Sequence, residues 1–130
     1  MQSESVTKGR ILVIDDDIDI LSLLDDVFSY NGFEVDAQLD PVLALKLFHD
    51  NPKLYDLTLL DLWLGSSVDG LSLYNKLKEA NIEAKIFVFT ALELDLAQFT
   101  MKCPSFNESY LIRKPIQMNV LVDRINSVLN

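Results

Sequence analysis

Four short apolar runs punctuate the chain, and each ends on a polar or charged side chain. Ile11-Leu12-Val13-Ile14 leads into Asp15-Asp16-Asp17, and Leu57-Thr58-Leu59-Leu60 leads into Asp61. Ile86-Phe87-Val88-Phe89 leads into Thr90, and Tyr110-Leu111-Ile112 leads through Arg113 into Lys114-Pro115. Runs this short and this apolar predict strands buried on both faces, and so a parallel sheet flanked by helices. Parallel strands end on one edge. Three carboxylates (Asp15, Asp16, Asp61), the Thr90 hydroxyl and the Lys114 ammonium are therefore expected to meet at the carboxyl-end crevice, where open α/β sheets place ligands.

Amphipathic segments fill the intervals. The pattern predicts strands over 10–14, 34–38, 56–60, 85–89 and 110–112, and helices over 18–30, 41–49, 71–80, 94–101 and 118–129. The first helix turns Ile20, Leu21, Leu24, Val27 and Phe28 inward. Asp16 or Asp17 can cap it, and Asn31-Gly32 ends it. Asp40-Pro41 is a cap followed by proline at the first helical position. That starts a second helix expected to bury Leu43, Leu47 and Ala44, and Asn51-Pro52 stops it. Strand and helix alternating over this length predict a five-stranded, doubly wound sheet with right-handed crossovers. The polar residues 1–9 read as a flexible lead and 10–130 as one domain.

The chain has 130 residues with 49% hydrophobic content, enough for one core. Its net charge of −9 argues against nucleic acid as a direct partner and favours a cation or a basic protein surface. No apolar run approaches the ~20 residues that span a bilayer. Cys103 is the single cysteine and forms no internal disulfide, which fits a reducing cytoplasm. His49, the single histidine, reads as a surface residue near a helix end, and Cys103 as structural.

Asp15, Asp16 and Asp61 repel one another unless a cation sits among them. A few hard oxygen ligands with room for water suit Mg²⁺. A carboxylate beside Mg²⁺ and a lysine is a good phosphoryl acceptor, because the charge on the transferring oxygens is then stabilised. Taken alone, Asp15-Asp16-Asp17-Ile18-Asp19 could be only a charged helix start. It is not an EF-hand loop: the sixth position would be Ile20 and the twelfth Asp26, where glycine and glutamate are needed.

With these residues in place, the chain resembles the receiver domain of two-component response regulators over nearly its whole length. The motifs are Ile-Leu-Val-Ile-Asp-Asp-Asp at 11–17, Tyr-Asp-Leu-Thr-Leu-Leu-Asp-Leu at 55–62, Asp69-Gly70, Phe89-Thr90-Ala91 and Lys114-Pro115. The resemblance implies a flavodoxin-like sheet of order 2-1-3-4-5 with five helices, as in the single-domain chemotaxis regulators. It implies that Asp61 is the phosphoacceptor. Asp16 would bind Mg²⁺ directly, Asp15 through water, and the backbone carbonyl of Trp63 as a third ligand. Thr90 would bond a phosphoryl oxygen on switching, Lys114 would pair with the same group, and the Lys114-Pro115 peptide would be cis.

The function so implied is phosphorelay signalling in the cytoplasm. A histidine kinase or phosphotransfer protein would supply the phosphoryl group. The output would be recognition of a partner protein by a monomer or weak dimer, with no nucleic acid contact and no membrane insertion. The domain would not be an enzyme, although it would assist its own phosphorylation and dephosphorylation. Three departures from the pattern stand out. Gly65 replaces a frequent proline, and Asp69-Gly70 lies one residue late. Residues 103–108 replace a Gly-Ala before the last strand, so that Leu111 stands where the family places an aromatic and Tyr110 lies one further back, a shift that turns a strand side chain to the other face. Two other readings compete: a haloacid dehalogenase-type phosphatase using Asp15 of Asp15-Asp16-Asp17, and a pseudo-receiver that binds partners without phosphorylation.

Overall fold

A computed structural model describes residues 7–62, 70–91 and 96–129 of the chain. The elements alternate in order β1 (Arg10–Ile14), α1 (Ile18–Tyr30), β2 (Glu34–Gln38), α2 (Pro41–Asp50), β3 (Leu57–Leu60), α3 (Gly70–Ala80), β4 (Ile86–Thr90), α4 (Leu96–Lys102), β5 (Leu111–Arg113) and α5 (Met118–Leu129). A single 3-10 turn, Glu108–Tyr110, leads into β5. The strands are parallel in the order β2-β1-β3-β4-β5, as the resemblance implied. None of the described helices is long and apolar enough to cross a membrane.

Every described residue of β3 and β4, and all of β1 after Arg10, is buried. Alternation along these strands splits the core into two layers. Leu12, Ile14, Leu60, Ile86 and Val88 pack with Phe48, Tyr74, Leu77 and Phe99 on one face. Ile11, Val13, Leu59, Phe87 and Phe89 pack with Leu24, Phe28, Leu121 and Ile125 on the other. Each such side chain contributes roughly 1.5–3 kcal/mol through burial, and covering both faces is what demands uninterrupted apolar runs.

The helix ends follow local chemistry. The Asp17 carboxylate accepts from the backbone N–H groups of Asp19 and Ile20 at 3.0 and 3.3 Å and caps α1. Gly32, at φ 94°, supplies the left-handed turn after it. Asp40 caps α2 in the same way, with Pro41 behind it. At the start of α3, a Cβ on Gly70 would lie 2.5 Å from the Leu62 carbonyl oxygen, so α3 seats directly on the backbone leaving β3. Ahead of β1, the Lys8 N–H donates to the Gly32 carbonyl and the Glu34 N–H to the Gly9 carbonyl, both at 2.9 Å.

α2 buries Ala44 as expected, but not Leu43 and Leu47. Pro41, Ala44 and Phe48 are its buried residues, whereas Leu43 and Leu47 are 49% and 40% exposed. Apart from Lys46, residues 41–48 are apolar on every side, so periodicity alone does not choose a face. The larger Phe48 ring takes the core position, stacked on Tyr55 with centroids 6.3 Å apart. Strand limits also shift. Asp56 lies just before β3, where its carboxylate accepts the Arg10 N–H and its own N–H donates to the Arg10 carbonyl, both at 2.8 Å. β4 extends to Thr90, which pairs with Arg113. Tyr110 belongs to the 3-10 turn, and its ring meets Phe87 edge-on at 4.9 Å. Phe87 lies in the layer of α1 and α5, while Leu111 packs against the opposite layer. The one-residue shift thus sets Tyr110 on Phe87 and an aliphatic side chain in the aromatic's usual place.

The observed phase of α2 makes a prediction. Phe48→Ala should cost about 3–5 kcal/mol in urea denaturation. Leu47→Ala, on the outer face, should cost about 0.5 kcal/mol or less. Equal losses would contradict this arrangement.

Candidate functional site

The carboxyl ends of four strands converge. Asp15 follows β1, Asp61 follows β3, Thr90 ends β4 and Lys114 follows β5. Backbone bonds fix these ends to one another: the Asp61 N–H donates to the Ile14 carbonyl at 2.9 Å, and the Lys114 N–H to the Thr90 carbonyl at 3.0 Å. The Lys114-Pro115 peptide is cis. Asp15, Asp16, Asp61 and Lys114 line one pocket of about 410 Å³, together with Asp17, Ile20 and Ala91. Thr90 is fully buried beside it.

The Lys114 ammonium donates to Asp15 Oδ2 at 2.7 Å and to Asp61 Oδ2 at 3.3 Å. It also lies 5.0 Å from the centroid of the Phe89 ring, a cation–π contact that steadies a charge held away from water. Burial alone would lower the Lys114 pKa. The hydrogen bond and charge of Asp15, and then those of Asp61, outweigh it and hold the group above its usual value. The other Asp15 oxygen, Oδ1, accepts the Asp17 N–H at 3.0 Å. Both oxygens of Asp15 are therefore engaged.

Asp15, Asp16 and Asp61 each offer a carboxylate oxygen, all within 4.8 Å of one another. Two oxygens on opposite sides of a Mg²⁺ ion stand roughly 4.2 Å apart, so a small closure brings this set to binding distance. One ammonium against three carboxylates leaves two negative charges uncancelled, the charge a divalent cation supplies. Asp15 and Asp61 are buried and Asp16 is exposed, which leaves a side open for the waters Mg²⁺ retains. The donor set fits the ion.

Trp63, the loop 65–69 and Leu92 lie outside the described residues. Reading the sequence singled out neither Ile20 nor Ala91 as pocket walls. Ile20 carries a helix-periodic signal that points to the core, and Ala91 gave none beyond its place after Thr90. Asp17, the third of the acidic triplet, is used as the α1 cap.

The family model for the response regulator receiver domain matches residues 11–126. Among curated proteins, the transcriptional regulatory protein PrrA of Mycobacterium tuberculosis is 29% identical over 124 residues, covering 95% of this chain and 51% of PrrA. The response regulator MprA of a Mycobacterium species is 30% identical over 120 residues, covering 92% of this chain and 50% of MprA. The chain spans about half the length of these curated relatives. Among solved structures, a CheY-like receiver domain protein of Methanospirillum hungatei superposes with a TM-score of 0.78 at 25% identity, over 92% of each chain. A receiver domain protein of Clostridium thermocellum does so with a TM-score of 0.80 at 26% identity, over 94% of each chain.

The Lys114 bonds carry a pH signature. Because its folded pKa is raised, the stabilisation it supplies is complete below the unfolded value of 10.5 and is lost as pH rises through the folded value. Lys114→Met leaves buried carboxylates without their counter-charge and should cost about 3–5 kcal/mol near neutrality. Urea denaturation of both proteins across the alkaline range should show the gap narrowing once pH passes 10.5. A gap independent of pH would contradict the charge argument.

Proposed function

The chain belongs to the response regulator receiver domain family, and on that premise we propose that Asp61 accepts a phosphoryl group from a histidine kinase or phosphotransfer protein in the presence of Mg²⁺. The observation that carries this reading is the position of the Asp61 carboxylate. It stands at the end of a central strand, 3.3 Å from the Lys114 ammonium, in a pocket shared with Asp15 and Asp16. Receiver domains bind Mg²⁺ at such an acidic cluster, and Asp15, Asp16 and Asp61 are the residues that would hold it here. The bound ion would offset the negative charge on the transferring oxygens.

In the step itself, an Asp61 oxygen attacks the phosphorus of the donor phosphohistidine. The P–N bond breaks and its electron pair leaves with the imidazole, which takes up a proton. Lys114 meets the incoming oxygens with an ammonium kept charged by its two carboxylate partners. Asp15, held at both oxygens, anchors the lysine, and it would hold a bound Mg²⁺ through water. The acyl phosphate adds about −1.5 to −2 charges to the pocket. The Thr90 hydroxyl would bond one of its oxygens, so the end of β4 moves with the modification. The surface of α4, β5 and α5 would then present the altered state to a protein partner in the cytoplasm.

The engagement of both Asp15 oxygens also argues against the phosphatase alternative, which needs Asp15 as the attacking group. A pseudo-receiver would have no need to keep Asp15, Asp16, Asp61 and Lys114 around one pocket.

Two measurements test the proposal. Acetyl phosphate with Mg²⁺ should add one phosphoryl group, located on Asp61 by mass spectrometry, and Asp61→Asn should remain unlabelled. Labelling that persists in that variant, or that maps to Asp15, would overturn it. Separately, Mg²⁺ at one hundred times its Kd should stabilise the fold by about 2.7 kcal/mol. Asp16→Asn should lose most of that gain while being no less stable without metal. An undiminished Mg²⁺ response would remove Asp16 from the ligand set.

A further inference from the structure

The edge of the molecule farthest from β5 leaves apolar surface open. β2 is an outer strand of the sheet, with β1 as its neighbour. On one side of it, Leu43 and Leu47 stand one turn apart on the outer flank of α2, 49% and 40% exposed, and Leu39 just ahead of the helix is 46% exposed. On the other side of the sheet, Ile18 in the first turn of α1 is 66% exposed. A groove of about 380 Å³ lies between α1 and the end of β2, walled by Ile18, Leu21, Ser22 and Asp25 of α1, by Ala37 and Gln38 of β2, and by Leu39. One exposed leucine is ordinary, but Ile18 and Leu39 on the groove, with Leu43 and Leu47 on the α2 that follows, leave four large apolar side chains exposed, which marks an interaction surface.

Charge selects the occupant. Between Arg10 and Lys46 the chain holds no lysine, arginine or histidine. The Arg10 guanidinium is taken up by Glu34 and Asp36, at 2.8 and 3.2 Å. Asp17, Asp19, Asp25 and Asp26, at the start and middle of α1, are exposed. A second copy of this chain would set like charge against like across such an edge, and an anionic membrane would be repelled in the same way. Strand addition is poorly served, because β2 has five residues and carries Glu34 and Asp36. Leu43 and Leu47, four residues apart on α2, have instead the spacing at which helices offer and receive apolar anchors.

We propose that this edge is a docking site for a basic amphipathic helix of a partner protein. Its apolar side chains enter the groove between Ile18 and Leu39 and lie along Leu43 and Leu47, and its lysines or arginines meet the carboxylates of α1. The groove shares no lining residue with the acidic pocket: Ile18 faces the groove and Ile20 faces the pocket. Docking here therefore does not occupy the Asp61 pocket.

The full chain, labelled with ¹⁵N, is titrated with a synthetic helical peptide carrying leucines on one face and lysines on the other. Amide shifts should centre on residues 18–25 and 37–47. Affinity should fall at least tenfold in Leu39→Ser with Leu43→Ser, fall with added salt and in Asp25→Asn, and stay unchanged in Asp61→Asn. A peptide with serines in place of the leucines, and one with glutamates in place of the lysines, should both bind at least tenfold more weakly. The proposal is overturned if the double variant binds as tightly as the wild type, if the shifts centre on α4 and α5, or if the serine peptide binds equally well. Sedimentation showing that the chain pairs with itself through this edge would also overturn it. If the double variant does not fold, Ile18→Ser on the opposite wall must show the same loss, and unchanged binding there counts against the proposal.

Discussion

The ammonium of Lys114 holds the working end of this domain together. It sits between Asp15 and Asp61, so the ends of β1, β3 and β5 are joined through one charge. Its backbone N–H ties β5 to Thr90 at the end of β4. Without that cation, two buried carboxylates would face each other across a few ångströms with little water to screen them. The same cation makes the pocket suited to receive more negative charge. The features that stabilise the resting domain and those that would take part in chemistry are therefore the same bonds.

Much of this could be read in the sequence because both-face burial leaves little freedom. Residues 11–14, 57–60 and 86–89 had to be strands covered on two sides, and parallel strands had to bring Asp15, Asp61, Thr90 and Lys114 to one edge. The caps at Asp17 and Asp40 were readable because a helix start needs an acceptor for its first N–H groups. α2 escaped the same reading. With Lys46 as its sole polar residue over 41–48, nothing short of the shape of the core could choose between Leu47 and Phe48 as the buried side chain.

The last strand was harder for a different reason. Asn107 accepts the Ser109 N–H and winds residues 108–110 into a 3-10 turn, which a scan for apolar runs counts as part of the strand. Ile20 shows a second limit. Periodicity marks it as inward, and inward is correct, but only the fold shows that its surroundings include a pocket lined by acids. Sequence patterns identify which residues leave water, and the crossing of elements decides what they leave it for.

Gly70 carries a mechanical consequence. Because no side chain stands between the first residue of α3 and the backbone of Leu62, the helix rests on the segment that follows Asp61 with no cushion. A soft contact would absorb a displacement of that segment through a change of rotamer. Backbone against backbone has no rotamers to change, so the helix must travel with whatever moves beneath it. α3 is thus a rigid extension of the backbone beside Asp61, running from Gly70 to Ala80.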